Sequence, residues 1–386
     1  MRILHCCLAN FYIDGFSYQE NILPRVHKNL GHDVEILAST ETYVTKTKLG
    51  YVEPRSYCNE DDIRVTRIPY SKLLPHSVMR KLRLYKGVKE KLEGFKPDII
   101  FLHDFQFLDV KYIVRYAEEN PKVKVYADCH TDFVNSARNW VSKNILHKII
   151  YKRCAKKVEP YTTKFFGTLP ARSDFLKEVY NIPAEKIELL PFGAEDDKID
   201  WGAKDDIRRN VRKDLCLSEA DFVIISGGKL DKRKNIHLLM KAIREIDINR
   251  VKLVLFGIPD SEMKEEVEQL AQHESIRYVG WLNSEQIYNY FLASDLAVFP
   301  GTHSVLWEQA TGSGLPGIFK RWKGFEHIDL GGNCLFLETD SVKDLKNKIN
   351  RVFVNTELFQ HMKQTAFLKG VPHFAYAEIA KKAIDQ

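Results

Sequence analysis

The stretch 297–316 limits the possible folds of this chain more than any other part of it. The apolar run Leu296–Phe299 is typical of a strand buried in a parallel sheet. Pro300 and Gly301 end this strand, and residues 305–310 are predicted to form a short helix. Open α/β folds bind their ligands where a parallel strand ends in such a turn. The stretch therefore predicts an α/β fold with a ligand site at this turn.

N-capping and ionisable side chains are concentrated on the same turn. Thr302 and Ser304 are both suitable N-caps for the helix, and His303 and Glu308 are ionisable. The start of a helix presents unpaired N–H groups and the positive end of the helix dipole, which favour a bound anion. A ligand site is one interpretation of these residues, and an ordinary βα unit with a solvated turn is the other.

The rest of the chain alternates between predicted strands and predicted helices. A strand at 2–9, a loop that contains Gly15 and a helix at 18–30 come first, and Ser17 and Glu20 are predicted to form a capping box. Regular alternation of this kind predicts parallel sheets and the α/β class. No GxGxxG follows the first strand, so a dinucleotide cofactor is not indicated.

An acidic stretch at 193–206 is predicted to link two domains, which agrees with a length of 386 residues. Two segments before it, 73–94 and 137–157, are predicted to be basic helices that also carry apolar side chains. Such helices are usually solvated, but their composition also suits the surface of an anionic membrane or a lipid-diphosphate acceptor.

The composition argues against several classes of protein. No apolar run approaches the roughly 20 residues that span a bilayer, and the seven cysteines form no CxxC pair. Scattered cysteines in an odd number predict free thiols and a reducing cytoplasm. A net charge of +6 is low for a nucleic-acid-binding protein. No DxD, HExxH or Cys/His cluster indicates a metal site.

Two lysines flank the end of the first predicted strand of the second domain. The strand ends in Gly228-Lys229-Leu230, and Lys234-Asn235 opens the next helix. This pattern resembles the phosphate-binding element of retaining glycosyltransferases of family 4, which have the GT-B fold. Three further segments resemble the base-binding turn, the donor-site strand and the domain hinge of that family, and they lie at 279–285, 293–300 and 189–194.

The resemblance implies two Rossmann-like domains whose parallel sheets face each other across a cleft. Residues 1–195 would bind the acceptor and residues 206–364 the nucleotide sugar, with a C-terminal helix at about 365–386 returning to the first domain. The implied activity is retaining, hexosyltransferase-type transfer from a UDP- or GDP-sugar to a saccharide or lipid-linked acceptor, in cell-surface polysaccharide or glycolipid biosynthesis. We expect no metal, no cofactor and no nucleic-acid partner, and a cytoplasmic location with peripheral contact to the inner face of the cell membrane.

The resemblance and the residue chemistry together imply a set of site residues. Lys229 and Lys234 would stabilise the negative charge that grows on the leaving diphosphate. Glu308 would accept hydrogen bonds from ribose hydroxyls, and His130, which follows a strand of the first domain, would contact the transferred sugar. The predicted catalytic residues are His130, Lys229 and Lys234, and the predicted donor-binding residues are Gly15, Gly228, Leu282, His303, Ser304, Val305 and Glu308.

The chain departs from the family pattern at a pair of Glu residues that have seven residues between them. If Glu308 is the second of the pair, the first falls on Pro300. If the Gly-Leu-Pro ending at 314–316 is aligned instead, the pair falls on Gly301 and Gln309. The first Glu contacts the donor sugar in the family, and it is missing in both alignments.

His303 and Ser304 are the nearest candidates to replace the missing Glu. Two other functions stay open on the sequence. One is a GT-B nucleotide-sugar epimerase, which needs no acceptor, and the other is a catalytically degenerate GT-B subunit that only binds a partner. The missing Glu favours the degenerate subunit slightly, whereas the retained Lys229, Lys234 and Glu308 argue against it.

Overall fold

The computed structural model describes residues 1–44, 48–133, 136, 140 and 142–386, without the side chain of Lys143. The chain divides into two units: unit 1 comprises Met1–Pro191 and Ile379–Gln386, and unit 2 comprises Phe192–Glu378. Residues 365–378 lie in unit 2, whereas the sequence prediction assigned about 365–386 to the first domain. Residues 137–139 and 141 of the predicted basic helix 137–157 lie outside the described residues.

Unit 1 is built on a mostly parallel sheet. The strands of unit 1 are β1 Arg2–Cys7, β2 Asp33–Ser39, β3 Glu41–Tyr43, β4 Leu49–Tyr51, β5 Arg55–Cys58, β6 Arg64–Ile68, β7 Ile99–His103, β8 Lys124–Cys129, β9 Thr162–Gly167 and β10 Ile187–Leu189. The main sheet has the order β10-β9-β8-β7-β1-β2-β6-β5, in which only β5 runs antiparallel to its neighbour, and β3 pairs with β4 separately. The order of the strands along the chain reverses between β1 and β7, so a ligand site is expected at the ends of these strands.

The helices of unit 1 cover the faces of this sheet. They are α1 Gln19–Asn29, α2 His76–Leu82, α3 Val88–Phe95, α4 Val110–Glu119, α5 Lys152–Val158 and α6 Pro170–Glu178, and a π-helical segment, Ser142–Tyr151, leads into α5. The C-terminal residues of α15, Tyr376–Ala383, also belong to unit 1. Apolar side chains from α4, α5 and α6 pack with β1, β7 and β8 in one buried cluster. Burial on both faces explains the continuous apolar runs of these strands.

The predicted capping box at the start of α1 is wrong. The residue before the helix is Tyr18, and no side chain caps the helix there. Glu20 instead accepts a hydrogen bond from Asn10 Nδ2 at 2.6 Å. The carboxylate is therefore committed to the loop after β1, so it does not reach back to the helix start as a capping box requires.

The single helix predicted at 73–94 is also wrong, because the structure has two helices there. Arg83 ends α2 in the left-handed conformation with φ of 53°, and Gly87 precedes α3 with φ of 111°. Between them, the Tyr85 amide donates to Asp109 Oδ2 at 2.5 Å and the Tyr85 hydroxyl donates to Leu8 O at 2.6 Å. Tyr85 is buried and interrupts the helix with contacts that a continuous helix would not permit.

Unit 2 contains a parallel sheet with a simple topology. Its strands are β11 Phe222–Leu230, β12 Val251–Pro259, β13 Ile276–Gly280, β14 Leu296–Phe299, β15 Gly317–Lys320 and β16 Cys334–Leu337. The order is β13-β12-β11-β14-β15-β16, and all neighbouring pairs are parallel. In chain order this is 3-2-1-4-5-6, the order of the dinucleotide-binding fold, and its switch point lies between β11 and β14.

The helices of unit 2 flank that sheet. They are α7 Lys204–Asp214, α8 Ile236–Glu245, α9 Lys264–Leu270, α10 Gln286–Ala293, α11 Leu306–Gly312, α12 Val342–Val354, α13 Thr356–Thr365 and α14 Val371–His373, together with the start of α15. The predicted linker at 193–206 is part of this unit: Ala194 pairs with Ala375, and Ile199 is buried. Its acidic residues therefore mark the start of unit 2 and not an independent linker.

Two further findings concern membrane-spanning helices and the cysteines. Among the described residues, no helix is both long and apolar enough to cross a membrane. All the cysteines are free thiols, with Cys58 and Cys216 exposed and Cys6, Cys7, Cys129, Cys154 and Cys334 buried.

Gly257 is expected to tolerate no side chain. It pairs with Gly228 across β11 and β12, its φ is 118°, and a Cβ would lie 1.8 Å from Gly228 O. Gly257→Ala should therefore lower the free energy of unfolding by about 2 kcal/mol or more. Denaturant unfolding measures the loss.

The matched control is Gly94→Ala on the exposed face of α3, where a Cβ would meet nothing within 4 Å. Alanine is favoured over glycine in a helix by up to about 1 kcal/mol, so this change should leave stability equal or higher. Equal losses in the two variants would contradict the close approach of β11 and β12.

Candidate active site

The site in unit 2 forms at the switch point, where the turn after β11 meets the turn after β14. Lys234 Nζ donates to Thr302 O and to His303 O, each at 2.8 Å. The Thr302 amide donates to Arg233 O at 3.0 Å, and Asn235 Nδ2 donates to Pro300 O at 3.2 Å. Four hydrogen bonds thus hold the two turns together.

Gly301 permits this close contact. A Cβ at this position would lie 2.3 Å from Arg233 O and 2.4 Å from Lys234 Cα, so only glycine fits. The strand before it, Leu296–Phe299, has the predicted bounds, and α11 covers 306–312 where 305–310 was predicted. Gly301 is also the position on which one alignment placed the missing Glu. A side chain there would push the two turns apart.

Lys229 and Lys234 lie on either side of the turn after β11. Lys229 is exposed near the end of the strand, beside Gly228, whose φ is 104°. Burial lowers the pKa of Lys234 to about 8, since the charged form loses hydration there. Two carbonyl oxygens already bind this ammonium, and it retains one further N–H donor. An anion at the turn would favour the charged form of Lys234.

Glu308 lies at the centre of a cluster of three side chains. His303 Nε2 and His327 Nε2 each lie 2.8 Å from Glu308 Oε1. The carboxylate is fully buried and does not lie on the exposed face of α11. Within the part of the chain that the structure describes, Glu308 Oε2 and His327 Nδ1 are buried and have no hydrogen-bond partner.

The electrostatics of this cluster keep Glu308 ionised. Burial on its own would raise the pKa of Glu308, but the charges and hydrogen bonds of His303 and His327 outweigh it and lower the pKa to about 2. Both imidazoles must donate from Nε2, because an ionised carboxylate only accepts. A neutral His303 in this tautomer has only an acceptor left at Nδ1. It donates a second hydrogen bond only as the imidazolium.

Of the other predicted donor-binding residues, three lie at the same edge of the unit 2 sheet and one, Gly15, lies in unit 1. Leu282 is buried in the turn after β13, Ser304 O accepts from the Trp307 amide at 3.0 Å, and Val305 precedes α11. Gly15 belongs to the loop after β1 in unit 1. Its φ is 74°, and its amide already donates to Glu60 Oε1 at 2.7 Å. That amide would have to leave Glu60 to bind a donor.

His130 lies in unit 1 just after β8, where it was predicted. Its Nε2 lies 3.2 Å from Asp128 Oδ1, and its amide donates to Asp104 Oδ1 at 3.1 Å. Burial would lower the pKa of His130, but the carboxylates of Asp128, Glu20 and Asp104 outweigh it and raise the pKa to about 9. His130 is therefore an imidazolium at neutral pH. It suits a hydrogen-bond donor or a fixed positive charge better than a general base.

His130 borders a polar cavity of about 420 Å³ in unit 1. Arg83, Asp104 and Tyr151 also line it. Arg83 Nη1 donates to Gln106 O at 3.0 Å, and the guanidinium carbon lies 5.4 Å from the centre of the Tyr151 ring. The cavity thus combines positive charge, carboxylates and hydroxyls, which is the chemistry that binds a hydroxylated ligand.

Two groups of side chains contain the residue types that ligate metals: His103, Asp128 and His130 in unit 1, and His303, Glu308 and His327 in unit 2. In each group the imidazole nitrogens lie 2.8 to 3.2 Å from the carboxylate oxygens. These are distances of charge-assisted hydrogen bonds, so the side chains of each group bind one another. A metal in either group would have to replace these hydrogen bonds and displace protons from the imidazoles.

Sequence reasoning missed two residues of these groups and one residue of the cavity in unit 1. His327 lies in the short turn Glu326–Ile328, and no sequence pattern connects it to Glu308. Asp128 is a polar residue within an otherwise apolar buried strand, and this interruption is the sequence signal that could have identified it. Arg83 lay inside a predicted solvated helix, and only the break in that helix brings it to the cavity.

Comparison with known proteins relates unit 2 to a known family. Residues 207–369 match the family model of glycosyl transferases group 1. An uncharacterized glycosyltransferase of Methanocaldococcus jannaschii is 20% identical to this chain over 92% of the chain and 89% of the relative. The lipopolysaccharide 1,2-N-acetylglucosaminetransferase of Salmonella typhimurium is also 20% identical, over 71% of this chain and 68% of that protein.

A solved structure shows the fold of the whole chain. HepE of Anabaena, determined in complex with UDP, aligns with a TM-score of 0.69 and 14% identity over 100% of this chain and 99% of that chain. The predicted α/β class and the GT-B fold are therefore confirmed. The region that matches the family model contains Lys229, Lys234, His303, Glu308 and His327, and His130 lies in unit 1.

The low pKa of Glu308 makes a prediction about acid stability. A folded-state pKa of about 2, below the ordinary value of 4.5, adds stability that is fully present above pH 4.5 and is lost as the pH falls through 2. The advantage of the wild type over Glu308→Gln in the free energy of unfolding should therefore shrink by about 3 kcal/mol over this range. Unfolding by urea at a series of pH values measures it.

Glu338→Gln is the matched control. Glu338 pairs with Arg321 on the surface, where its side chain is 55% exposed, and surface ion pairs contribute little. The difference between wild type and this variant should hardly change with pH. A Glu308→Gln profile parallel to that of Glu338→Gln would contradict the buried ionised carboxylate.

Proposed function

We propose that this protein is a retaining glycosyltransferase that moves a sugar from a nucleotide sugar to a saccharide or lipid-linked acceptor. The observation that carries the proposal is the pair of turns at the switch point of unit 2, where Lys229 and Lys234 flank a glycine-lined contact. The group 1 family match of the same region and the likeness to a UDP complex support it. The product belongs to cell-surface polysaccharide or glycolipid synthesis, as with the lipopolysaccharide relative.

The lysines would act on the leaving diphosphate. Negative charge grows on the leaving phosphate as the glycosidic bond breaks, so fixed positive charge lowers the barrier more than it tightens ground-state binding. Lys234 is preorganised by its two carbonyl contacts, and the exposed Lys229 is free to turn toward a ligand. In a retaining front-face reaction the leaving phosphate itself accepts the proton of the acceptor hydroxyl. The reaction would then need neither a metal nor a separate base.

His303 would replace the Glu that is missing from the family pattern. Its Nε2 is fixed on Glu308, and its Nδ1 would contact a sugar hydroxyl or a phosphate oxygen. In unit 1, the positively charged His130 would donate to an oxygen of the substrate.

We also propose a peripheral location on an anionic membrane inside the cell. The π-helical segment and α5 carry exposed Lys148, Lys156 and Lys157 close to Ile145 and Ile149, which are 38% and 46% exposed. Basic residues next to exposed apolar side chains suit an interfacial contact with anionic lipid. A lipid-linked acceptor would be reached at the same surface.

The decisive experiment is single-turnover transfer at saturating nucleotide sugar, after a thermal-shift screen with UDP- and GDP-sugars has found the donor. Lys229→Ala and Lys234→Ala should each reduce the rate on the order of a hundredfold to a thousandfold, as for the loss of a comparable electrostatic donor. Lys229→Arg should keep much of the activity, since Arg also supplies charge. The anomeric configuration of the product, read by NMR, tests retention.

Lys232→Ala is the matched control, because Lys232 is exposed in the same turn but is not one of the two predicted lysines. It should leave the rate nearly unchanged. Full activity in the double variant Lys229→Ala with Lys234→Ala would remove the diphosphate site from this turn and refute the proposal.

The membrane proposal makes a separate prediction. Reversing the charge at Lys148, Lys152, Lys156 and Lys157 should weaken binding to anionic vesicles, because each basic residue near the surface contributes about 1 kcal/mol. Cosedimentation with vesicles of mixed zwitterionic and anionic phospholipid measures it. The control reverses exposed lysines of unit 2, namely Lys213, Lys264, Lys343 and Lys363. Equal binding by the two variants would leave α5 as an ordinary solvated face.

A further inference from the structure

A continuous line of buried hydrogen bonds crosses unit 1 from its last helix to Asp128. His27 Nε2 lies 2.8 Å from Ala380 O, and His27 Nδ1 lies 3.0 Å from His5 Nε2. His5 Nδ1 lies 3.0 Å from His103 Nε2, and His103 Nδ1 lies 2.9 Å from Asp128 Oδ2. All three imidazoles and the carboxylate have no exposed surface. We call His27, His5 and His103 the histidine relay.

The hydrogen bonds of the relay need one more proton than three neutral histidines supply. The relay has four hydrogen bonds, and each bond needs one hydrogen. Both ends only accept: Ala380 O is a carbonyl, and Asp128 is an ionised carboxylate. Three neutral imidazoles carry three N–H groups between them, one short of the four that are needed. The relay therefore holds one additional proton and one positive charge.

The direction of the bonds places that charge. His27 must donate to Ala380 O and so accepts at Nδ1 from His5, and His5 in turn accepts at Nδ1 from His103. Burial lowers the pKa of His27 to about 4 and also lowers that of His5, so both stay neutral. His103 is left to donate from both nitrogens. Its Nδ1 proton lies against the charge of Asp128.

We propose that His103 is an imidazolium held by the histidine relay, and that it positions Asp128 and through it His130. Asp128 Oδ2 is fixed by His103, and Asp128 Oδ1 accepts from the Asp104 amide at 3.0 Å and faces His130 Nε2. The carboxylate thus lies between two positive imidazoles. His103 is a positioning residue, since only His130 of the two borders the cavity.

The positive charge of His103 partly offsets the effect of the negative Asp128 on the pKa of His130. Removing that charge leaves the full negative charge of Asp128 facing His130, so the pKa of His130 rises further. Several titratable groups surround the relay. They are Cys7 of β1, Glu20 and His32 near α1, Asp104 and Cys129 at the strand ends, and His130 itself.

The first test is NMR of the full-length wild type with ¹⁵N-labelled histidine at pH 7.5. His103 should show protons on both ring nitrogens, and His5 and His27 should show one proton each, on Nε2. Individual signals are assigned by single His→Gln variants. A neutral His103 in the wild type would overturn the proposal.

The second test compares two changes at the far end of the relay. A Gln at position 27 still donates to Ala380 O and accepts from His5, so His27→Gln should leave His103 doubly protonated. His27→Leu removes two of the four bonds, and two neutral histidines then suffice for the two that remain. His103 should therefore become neutral in His27→Leu. An imidazolium at position 103 in both variants would refute the proton count.

The third test reads the effect at His130. His103→Gln should raise the NMR titration midpoint of His130 by about one pH unit or more, because one positive charge near Asp128 is lost. Phe101→Leu is the packing control, since Phe101 contacts the His103 ring with centroids 5.0 Å apart and carries no charge. The same midpoint in the two variants would reduce His103 to a packing role.

The rate of sugar transfer is a further test of the relay, and this test rests on the proposed function. His27→Leu should lower the turnover rate at saturating substrates several-fold, whereas His27→Gln should retain it. An inactive wild type with the expected NMR spectra would refute the glycosyltransferase and leave the relay standing. Equal turnover in His27→Leu and the wild type, with the NMR changes in place, would refute the positioning of His130 by the relay.

Discussion

A carboxylate that is removed from water has to be neutralised, and both units of this protein depend on that constraint. Glu308 is buried between His303 and His327 in unit 2, and Asp128 is buried beside His103 and His130 in unit 1. His327 and His103 reach Glu308 and Asp128 from separate segments, whereas His303 and His130 lie close to them in the chain. The loss of one partner would leave a buried charge with incomplete compensation, which costs several kcal/mol. Charge pairing therefore fixes the position of these side chains as firmly as apolar packing does.

Strand order decides where these pairings occur. In unit 2 the order reverses between β11 and β14, so the turns after these strands have no strand between them and can touch. Gly301 lets the backbone of one turn lie directly on the other, and Lys234 ties them together. In unit 1 the same reversal brings His5 of β1 beside His103 of β7. A crevice forms at the carboxyl ends of the strands at such a switch point, and polar side chains can meet there.

The bounds of strands and helices were predicted correctly where neighbouring residues in the sequence determine them. The bounds of β14 follow from an apolar run that a proline ends, and α1 was placed within a residue or two because its apolar periodicity is clear. The break at Arg83 was missed because the contacts of Tyr85 with Asp109 and Leu8 decide it, and these form only in the folded unit. The pairing of Glu308 with His327 has no periodicity to reveal it. The three histidines of the relay become neighbours only when the order of β1 and β7 is known.

The path of the chain through the two units also affects the order in which they can fold during synthesis. The chain leaves unit 1 at Pro191 and returns to it at Ile379, after all of unit 2. Ala380 O is the acceptor for His27, and Asp385 pairs with Lys164 and accepts from Tyr126. These contacts join residues more than 200 positions apart, so a ribosome must complete unit 2 before unit 1 can close its own interior. Until then His27 of α1, at the outer end of the buried line of hydrogen bonds, lacks its acceptor, and the unit that is made first is the one that is finished last.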